Sequence, residues 1–167
     1  MEEIRNKVKD SGLIQLDLAD FKPRVEIAGI DLAERLWQGL ILREKDFREW
    51  IRENDWDHYI GKAVYIHCSA DAIIPTWAFM LVGSQLVGKA DHITVGSRHD
   101  LERELISKGI HELDLTTFTD GRIIIKGCSD VASPDFAMTE LLKVLQPVAK
   151  SIMYGEPCST VPLFKRK

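Results

Sequence analysis

The sequence predicts an α/β fold with a mainly parallel β-sheet and helices on both of its faces. Short apolar runs rich in β-branched residues recur along the chain, and helical patterns lie between them. Strands buried on both faces have such continuous apolar runs, and parallel neighbours need a crossover, usually a helix. Turn residues bound the segments, as expected for alternating strands and helices. The runs lie at 62–68, 91–96, 121–127 and 150–155.

The helices between these strands have recognisable ends. Pro75 suits the first helical position and Gly88 the position just past a helix, so the apolar segment between them predicts a helix. An amphipathic pattern ends at Gly109, and Ser133 followed by proline is a typical helix start. The predicted helices span 75–88, 98–109 and 134–146.

The first sixty residues contain further strand and helix patterns. Alternation predicts strands at 12–18 and 24–30, a pattern typical of a capping box begins at Asp31, and 43–55 has helical spacing. We expect one domain over 1–167, in which 1–60 extends the sheet and adds covering helices to a 61–167 core. No internal repeat of useful length is visible in the sequence.

Composition and charge exclude several classes of function. The net charge is −4, from 22 basic and 26 acidic residues, which does not favour nucleic-acid binding. The charged N-terminus lacks a signal sequence, and no run approaches the ~18 apolar residues of a membrane span. Neither a phosphate-binding loop nor a Gly-x-Gly-x-x-Gly motif is present, so no nucleotide cofactor is supported.

The cysteine content points to a reducing compartment. Three cysteines without a signal sequence indicate free thiols more than a disulfide framework. We therefore expect a cytoplasmic protein that does not bind a membrane. The tryptophan-rich first third is compatible with a homo-oligomer but does not require one.

The three cysteines follow predicted strands. Cys68 ends the strand at 62–68, Cys128 directly follows the strand at 121–127, and Cys158 lies just past the strand at 150–155. Carboxyl ends of parallel strands meet at one edge of a sheet, where ligands bind in open α/β folds. A flavodoxin-like strand order in the C-terminal two thirds places the first and third strands side by side. That order would bring the three thiols together.

The first interpretation of such a cluster is a zinc or iron–sulfur site, with Cys68, Cys128 and Cys158 as ligands. Thiolates are soft ligands that select zinc, copper(I) or iron–sulfur clusters. His67 is a poorer ligand, because successive side chains of a strand point to opposite faces and His67 is adjacent to Cys68.

Polar residues beside the cysteines fit an auxiliary role. Asp71 and Asp130 would supply an oxygen ligand or support the ligands, although both residue types also commonly form turns after strands. Each cysteine is followed by a serine whose hydroxyl would donate a hydrogen bond to sulfur. These serines are Ser69, Ser129 and Ser159.

Two other interpretations of the cysteines remain open. A thiol-dependent enzyme or an anion- or small-molecule-binding protein would use one activated thiol, because Cys68 and Cys128 each precede a predicted helix N-terminus. An interaction module would use the cysteines only as small apolar packing residues. The sequence alone leaves open whether the protein is an enzyme.

Several segments resemble an uncharacterised bacterial family that is classed only as a domain of unknown function, DUF2480. These segments are "QGLILREKDFREW", "CSADAIIPTWAFM", "IKGCSD" and "KSIMYGEPCSTVPLFKRK". The resemblance transfers no catalytic role. It implies an association with genes for iron–sulfur cluster assembly, and hence iron–sulfur assembly proteins as partners and an accessory role in metal or cluster binding.

Overall fold

The computed structural model describes residues 12–127 and 131–167. These residues contain seven β-strands and four α-helices. The strands are β1 (Leu13–Asp17), β2 (Ile27–Asp31), β3 (Ala63–His67), β4 (His92–Val95), β5 (Arg122–Lys126), β6 (Ser151–Glu156) and β7 (Ser159–Lys165). The helices are α1 (Glu44–Glu53), α2 (Thr76–Leu86), α3 (Arg98–His111) and α4 (Pro134–Leu145). Four 3₁₀ turns are Leu18–Phe21, Leu32–Arg35, Trp56–Tyr59 and Leu115–Phe118.

The described strands form two sheets. One has four strands in the order β1-β5-β6-β7, and the other has three in the order β2-β3-β4. Neighbouring strands are parallel except for β6 and β7, which form a hairpin. The predicted α/β class and mainly parallel pairing are therefore confirmed.

The predicted flavodoxin-like strand order is wrong. It places β3 and β5 side by side, but these strands lie in different sheets. Each pairs instead with a strand from the first part of the chain, β3 with β2 and β5 with β1. Each of the two N-terminal strands thus joins a different sheet, whereas a single sheet was predicted.

The described residues divide into two compact units. The first unit contains the described residues up to Pro23 together with Arg103–Lys167, and the second unit is Arg24–Glu102. The division falls within α3. The single domain over 1–167, with its boundary between 1–60 and 61–167, stays a prediction.

The two units repeat one order of elements. In the second unit this order is β2, a 3₁₀ turn, α1, a 3₁₀ turn, β3, α2 and β4. In the first unit it is β1, a 3₁₀ turn, the end of α3, a 3₁₀ turn, β5, α4 and β6, followed by β7. The sequence shows only a trace of this repeat, "LDLAD" at 16–20 and "IDLAE" at 30–34.

Each unit has its own apolar core. In the second unit Val64 and Ile66 of β3 are fully buried and share a core with Ala78, Val82 and Leu86 of α2. In the first unit the buried residues of β5, β6 and α4 form a separate core. Because β3 side chains alternate, Tyr65 and His67 lie on the face opposite Val64 and Ile66. None of the helices in the described ranges has the length and apolar character needed to cross a membrane.

Candidate functional site

The candidate site lies at the carboxyl ends of β2 and β3. These strands pair in parallel, with Gly29 opposite Tyr65 and Asp31 opposite His67. All four residues lie on the same face, because they alternate with the core residues of each strand. The carboxyl end of a parallel sheet is where ligands bind in open α/β folds.

A polar pocket of about 230 Å³ lies over these strand ends, and we call it the strand-end pocket. Strands β2 and β3 supply one wall, while the turn after β2, helix α1 and the turn before β3 supply the others. Its lining residues are Gly29, Ile30, Asp31, Glu34, Arg35, Trp50, Asn54, Tyr59, Tyr65 and His67. The volume suits a small metabolite, since drug-sized ligands occupy pockets of roughly 300–1,000 Å³.

Gly29 lets an aromatic ring lie across β2. A Cβ at this position would come within 2.5 Å of Cζ and 2.6 Å of the hydroxyl oxygen of Tyr65. Any larger residue therefore requires the Tyr65 ring to move. The ring also neighbours that of His67, with centroids 5.2 Å apart and planes inclined by 33°. The floor of the strand-end pocket is thus built from two packed rings over a glycine.

Asp31 is fixed by three hydrogen bonds. Its Oδ1 accepts from the backbone N–H groups of Ala33 at 2.9 Å and Ser69 at 3.0 Å, and its Oδ2 accepts from the Ser69 hydroxyl at 2.5 Å. Burial acts to raise the pKa of Asp31, but the hydrogen bonds from Ser69 and Ala33, with a smaller contribution from His67, hold the pKa below its ordinary value. Asp31 is therefore a carboxylate at neutral pH.

Two buried N–H groups of the lining residues lack an acceptor. Trp50 Nε1 and Asn54 Nδ2 are buried, and no described residue accepts a hydrogen bond from either. The neighbouring indole of Trp56 is different, because its Nε1 donates to the carbonyl of Ile51 at 2.8 Å. Leaving a buried donor unpaired costs about 1–3 kcal/mol. An acceptor that reached Trp50 and Asn54 would recover that cost.

Arg35 and Tyr59 complete the polar wall. The Arg35 guanidinium lies 4.8 Å from the centroid of the Trp50 ring and donates to Glu34 at 3.3 Å. Burial raises the pKa of Tyr59, while the positive charges of Arg35 and Lys62 act in the opposite direction. The Tyr59 hydroxyl consequently keeps its proton at neutral pH and can donate it in a hydrogen bond.

Comparison with known proteins gives a family but no activity. The family model described as "Protein of unknown function (DUF2480)" matches residues 2–166. The chain belongs to this family. No similar protein was found among curated proteins or solved structures. The predicted resemblance is therefore confirmed, and the description of DUF2480 transfers no residue roles to the strand-end pocket.

The predicted cysteine ligands of this DUF2480 chain have different surroundings. Cys68 follows β3 and packs against the apolar core of the second unit, and its thiol donates to the carbonyl of Ala70 at 3.6 Å. Cys158 is exposed in the turn between β6 and β7 of the first unit. Cys128 lies outside the described residues. Within the described ranges, no group of three or more His, Cys, Asp or Glu side chains is placed to hold a metal.

The predicted auxiliary residues are also separated. Ser69 donates to Asp31, the partner described above. Asp71 is exposed in the loop after β3, and Ser159 is exposed at the start of β7. Ser129 and Asp130 lie outside the described residues, like Cys128. The structure thus brings one predicted residue, Ser69, beside the strand-end pocket.

Sequence reasoning overlooked the pocket for an identifiable reason. Strand alternation predicts that His67 faces away from Cys68, and in the structure that opposite face is the one that lines the pocket. Two signals were available: polar residues end β2 and β3, and the glycine of β2 lies two residues before Asp31. The contributions of Trp50, Asn54 and Tyr59 depend on tertiary packing, so local sequence patterns do not reveal them.

Proposed function

We propose that this protein binds a small, oxygen-bearing organic molecule in the strand-end pocket. The observation that carries the proposal is the pair of buried N–H groups of Trp50 and Asn54, which line a polar pocket and have no acceptor among the described residues. Buried polar groups in proteins are almost always hydrogen-bonded. Both nitrogens are sealed from water by neighbouring atoms, so a ligand oxygen would reach either one after a small movement of the side chains that cover it.

The donors determine which ligand atoms fit. Among the lining residues, Trp50, Asn54 and Arg35 carry N–H groups, and Tyr59 and Tyr65 carry phenolic O–H groups. Such a set favours hydroxyl or carbonyl oxygens. Asp31 is held in place by the three hydrogen bonds that its oxygens accept. It would therefore orient a ligand hydroxyl from a fixed position.

The charges favour a ligand without strong negative charge. Asp31 and Glu34 are acidic, whereas Arg35 is basic and already paired with Glu34. The two carboxylates of Asp31 and Glu34 therefore outnumber the single guanidinium of Arg35 among the lining residues. A phosphate or a dicarboxylate would be repelled, while sugars, polyols and amides would meet no such penalty.

The zinc or iron–sulfur cofactor, the iron–sulfur assembly partners and the cytoplasmic location stay predictions. The surroundings of Cys68 and Cys158 give the cofactor no support within the described residues. Metal analysis of the native protein would test the cofactor prediction independently of the strand-end pocket. Iron or zinc at one equivalent, lost in Cys128→Ser, would support it.

The proposed function is tested with a panel of small molecules. The panel contains ribose, glucose, glycerol and acetamide as uncharged compounds, lactate as a monoanion, and phosphate and succinate as multiply charged anions. Thermal shift assays and calorimetry with the full chain should detect at least one uncharged compound. Phosphate and succinate should bind more weakly than that compound, because Asp31 and Glu34 repel them.

Matched variants connect any binding to the pocket. Asn54→Ala and Trp50→Phe each remove one unpaired donor, and Trp50→Phe keeps a ring beside Arg35. Each should weaken binding by roughly tenfold, the effect of about one hydrogen bond. Trp77→Phe, which changes a tryptophan that does not line the pocket, should bind like wild type. The proposal fails if nothing in the panel binds, or if both donor variants bind as wild type does.

A further inference from the structure

A second cavity adjoins the strand-end pocket. This outer cavity has a volume of about 310 Å³ and shares Glu34, Arg35 and Trp50 with the strand-end pocket. The remaining lining residues are Leu36, Trp37, Asp46 and Phe47. Because three side chains border both spaces, the two cavities are direct neighbours, and Arg35 and Trp50 lie where a ligand would pass from one to the other.

The two cavities differ in chemistry. Aromatic and carboxylate side chains line both cavities, but the hydroxyl, amide and imidazole groups belong to the strand-end pocket, whereas the outer cavity adds Leu36, Trp37 and Phe47. The rings of Phe47 and Trp50 are 5.2 Å apart between centroids. Arginine side chains cover two of the indoles, Arg35 on Trp50 at 4.8 Å and Arg43 on Trp37 at 3.9 Å. Flat groups therefore already stack at this site, and another flat group would fit the same geometry.

A tight turn holds Trp37 beside the outer cavity. Its carbonyl accepts from the N–H of Leu40 at 3.1 Å, and both central residues of the turn, Gln38 and Gly39, have positive φ. This is the geometry of a type I′ turn, and Trp37 also pairs with Ile41. Trp37 is nevertheless 41% exposed. A large aromatic side chain that starts from a hydrogen-bonded turn and is partly exposed is well placed to cover a bound ring.

We infer that the ligand of this site joins an uncharged, hydroxyl-bearing head to a planar aromatic group, as a nucleoside does. The inference rests on the proposed function. The head occupies the strand-end pocket, and the planar group lies in the outer cavity against Trp37. Phosphorylated forms are disfavoured, because Asp31, Glu34 and Asp46 add three carboxylates around the two cavities.

Three related probes test the inference by calorimetry on the full chain: methyl β-D-riboside, adenosine and AMP. Adenosine should bind roughly tenfold more tightly than the riboside, the effect expected from one stacked ring. AMP should bind more weakly than adenosine because of its phosphate. Trp37→Ala should remove most of the advantage of adenosine and leave the affinity for the riboside unchanged. Ile73→Ala, which removes an apolar side chain that is 94% exposed and lines neither cavity, should behave like wild type.

The outcomes separate this inference from the proposed function. If the riboside and adenosine bind equally well, or Trp37→Ala leaves their ratio unchanged, the outer cavity does not hold a planar group and the inference is overturned. Absence of binding by all three probes also overturns it. Neither result decides the proposed function, which depends on binding of the uncharged panel compounds and its loss in Asn54→Ala.

Discussion

The first and second units share a frame and differ in the chemistry placed on it. In both, an aspartate ends the first strand and accepts a hydrogen bond from the second residue after it. Asp17 accepts from the N–H of Ala19, and Asp31 from the N–H of Ala33, both at 2.9 Å. The leucines between them are fully buried in both units. The repeated Asp-Leu-Ala segment is thus a structural device that ends a strand and starts a 3₁₀ turn.

The positions around this device differ between the units. Tyr65 and His67 of β3 correspond to Ile124 and Lys126 of β5, as judged from pairing with the strand that bears the aspartate. Ile124 is only 1% exposed, whereas Tyr65 lines a pocket. Arg35 likewise corresponds to Phe21, which packs against the core of the first unit. The same order of strands and helices therefore does not produce the same site. The polar pocket depends on side chains that only the second unit has.

The largest expected effect tests the shared frame. Leu18→Ala and Leu32→Ala remove counterpart core side chains, and each should lower the free energy of unfolding by about 2–5 kcal/mol. All four tryptophans lie in the second unit, so fluorescence follows that unit while circular dichroism follows both. The predicted single domain requires Leu18→Ala to lower the urea midpoint by both methods. A fluorescence midpoint unaffected by Leu18→Ala would show that the units unfold separately.

The next effect tests the difference between the units. Gly29→Ala places a methyl group where the Tyr65 ring lies, so the ring must leave the floor of the strand-end pocket. The affinity for the panel compounds should fall by at least tenfold, because the displaced Tyr65 hydroxyl could no longer bond the ligand and one hydrogen bond contributes roughly that much. The free energy of unfolding should change by no more than about 1 kcal/mol, because the higher strand propensity of alanine offsets part of the cost of moving the Tyr65 ring. Gln15→Ala, the exposed counterpart in β1, should change neither quantity.

A smaller, pH-dependent effect is expected at Asp31. The hydrogen bonds from Ser69 keep the pKa of Asp31 below its unfolded value, so their stabilisation is present above about pH 4 and is lost as the pH falls through the folded pKa. Ser69→Ala should lower stability by about 1 kcal/mol at neutral pH, with the difference shrinking in acid. Ser84→Ala, which removes a hydroxyl that donates to the carbonyl of Leu81, should show no such pH dependence. If the difference in free energy of unfolding between Ser69→Ala and wild type were the same at neutral and acid pH, the hydrogen bond from the Ser69 hydroxyl would not be what lowers the pKa of Asp31.

The smallest effect concerns the thiols. Cys158→Ser in the exposed turn should change stability by less than about 0.5 kcal/mol, as substitutions at ordinary surface positions do. Cys158 should react with iodoacetamide in the native protein, whereas Cys68, which packs against an apolar core, should react much more slowly. Mass spectrometry of the labelled peptides measures both rates. If Cys68 and Cys158 were equally protected from iodoacetamide, and a metal chelator removed that protection, the result would instead favour the predicted metal site.

Local patterns were sufficient to predict most of the helices and strands. The runs at 62–68, 91–96 and 121–127 contain β3, β4 and β5, and the helix predicted from Pro75 contains α2. Strand β7 was not foreseen, because Pro162 interrupts its strand pattern. The partition into two sheets was also not predictable locally. The partition depends on the pairing of β1 with β5, although the whole second unit lies between these strands in the sequence. No short-range pattern specifies so distant a partner.

The predicted functional edge and the candidate site have one strand end in common. The carboxyl end of the strand at 62–68 was expected to carry function, and the strand-end pocket lies there, on the face of His67. The thiols were predicted as ligands because each follows a strand, yet Cys68 faces an apolar core. The unpaired donors of Trp50 and Asn54 become visible only when α1 is packed beside β2, since burial is a property of the folded chain.

The indole N–H resonances provide the most direct test of ligand binding through unpaired donors. In proton–nitrogen correlation spectra of the full chain, assigned with single Trp→Phe variants, adenosine should shift the Trp50 signal downfield as the N–H gains an acceptor. The Trp56 signal should remain in place, because its N–H already donates to Ile51. A Trp50 signal that stays unchanged while adenosine or a panel compound saturates the protein would contradict binding at the strand-end pocket.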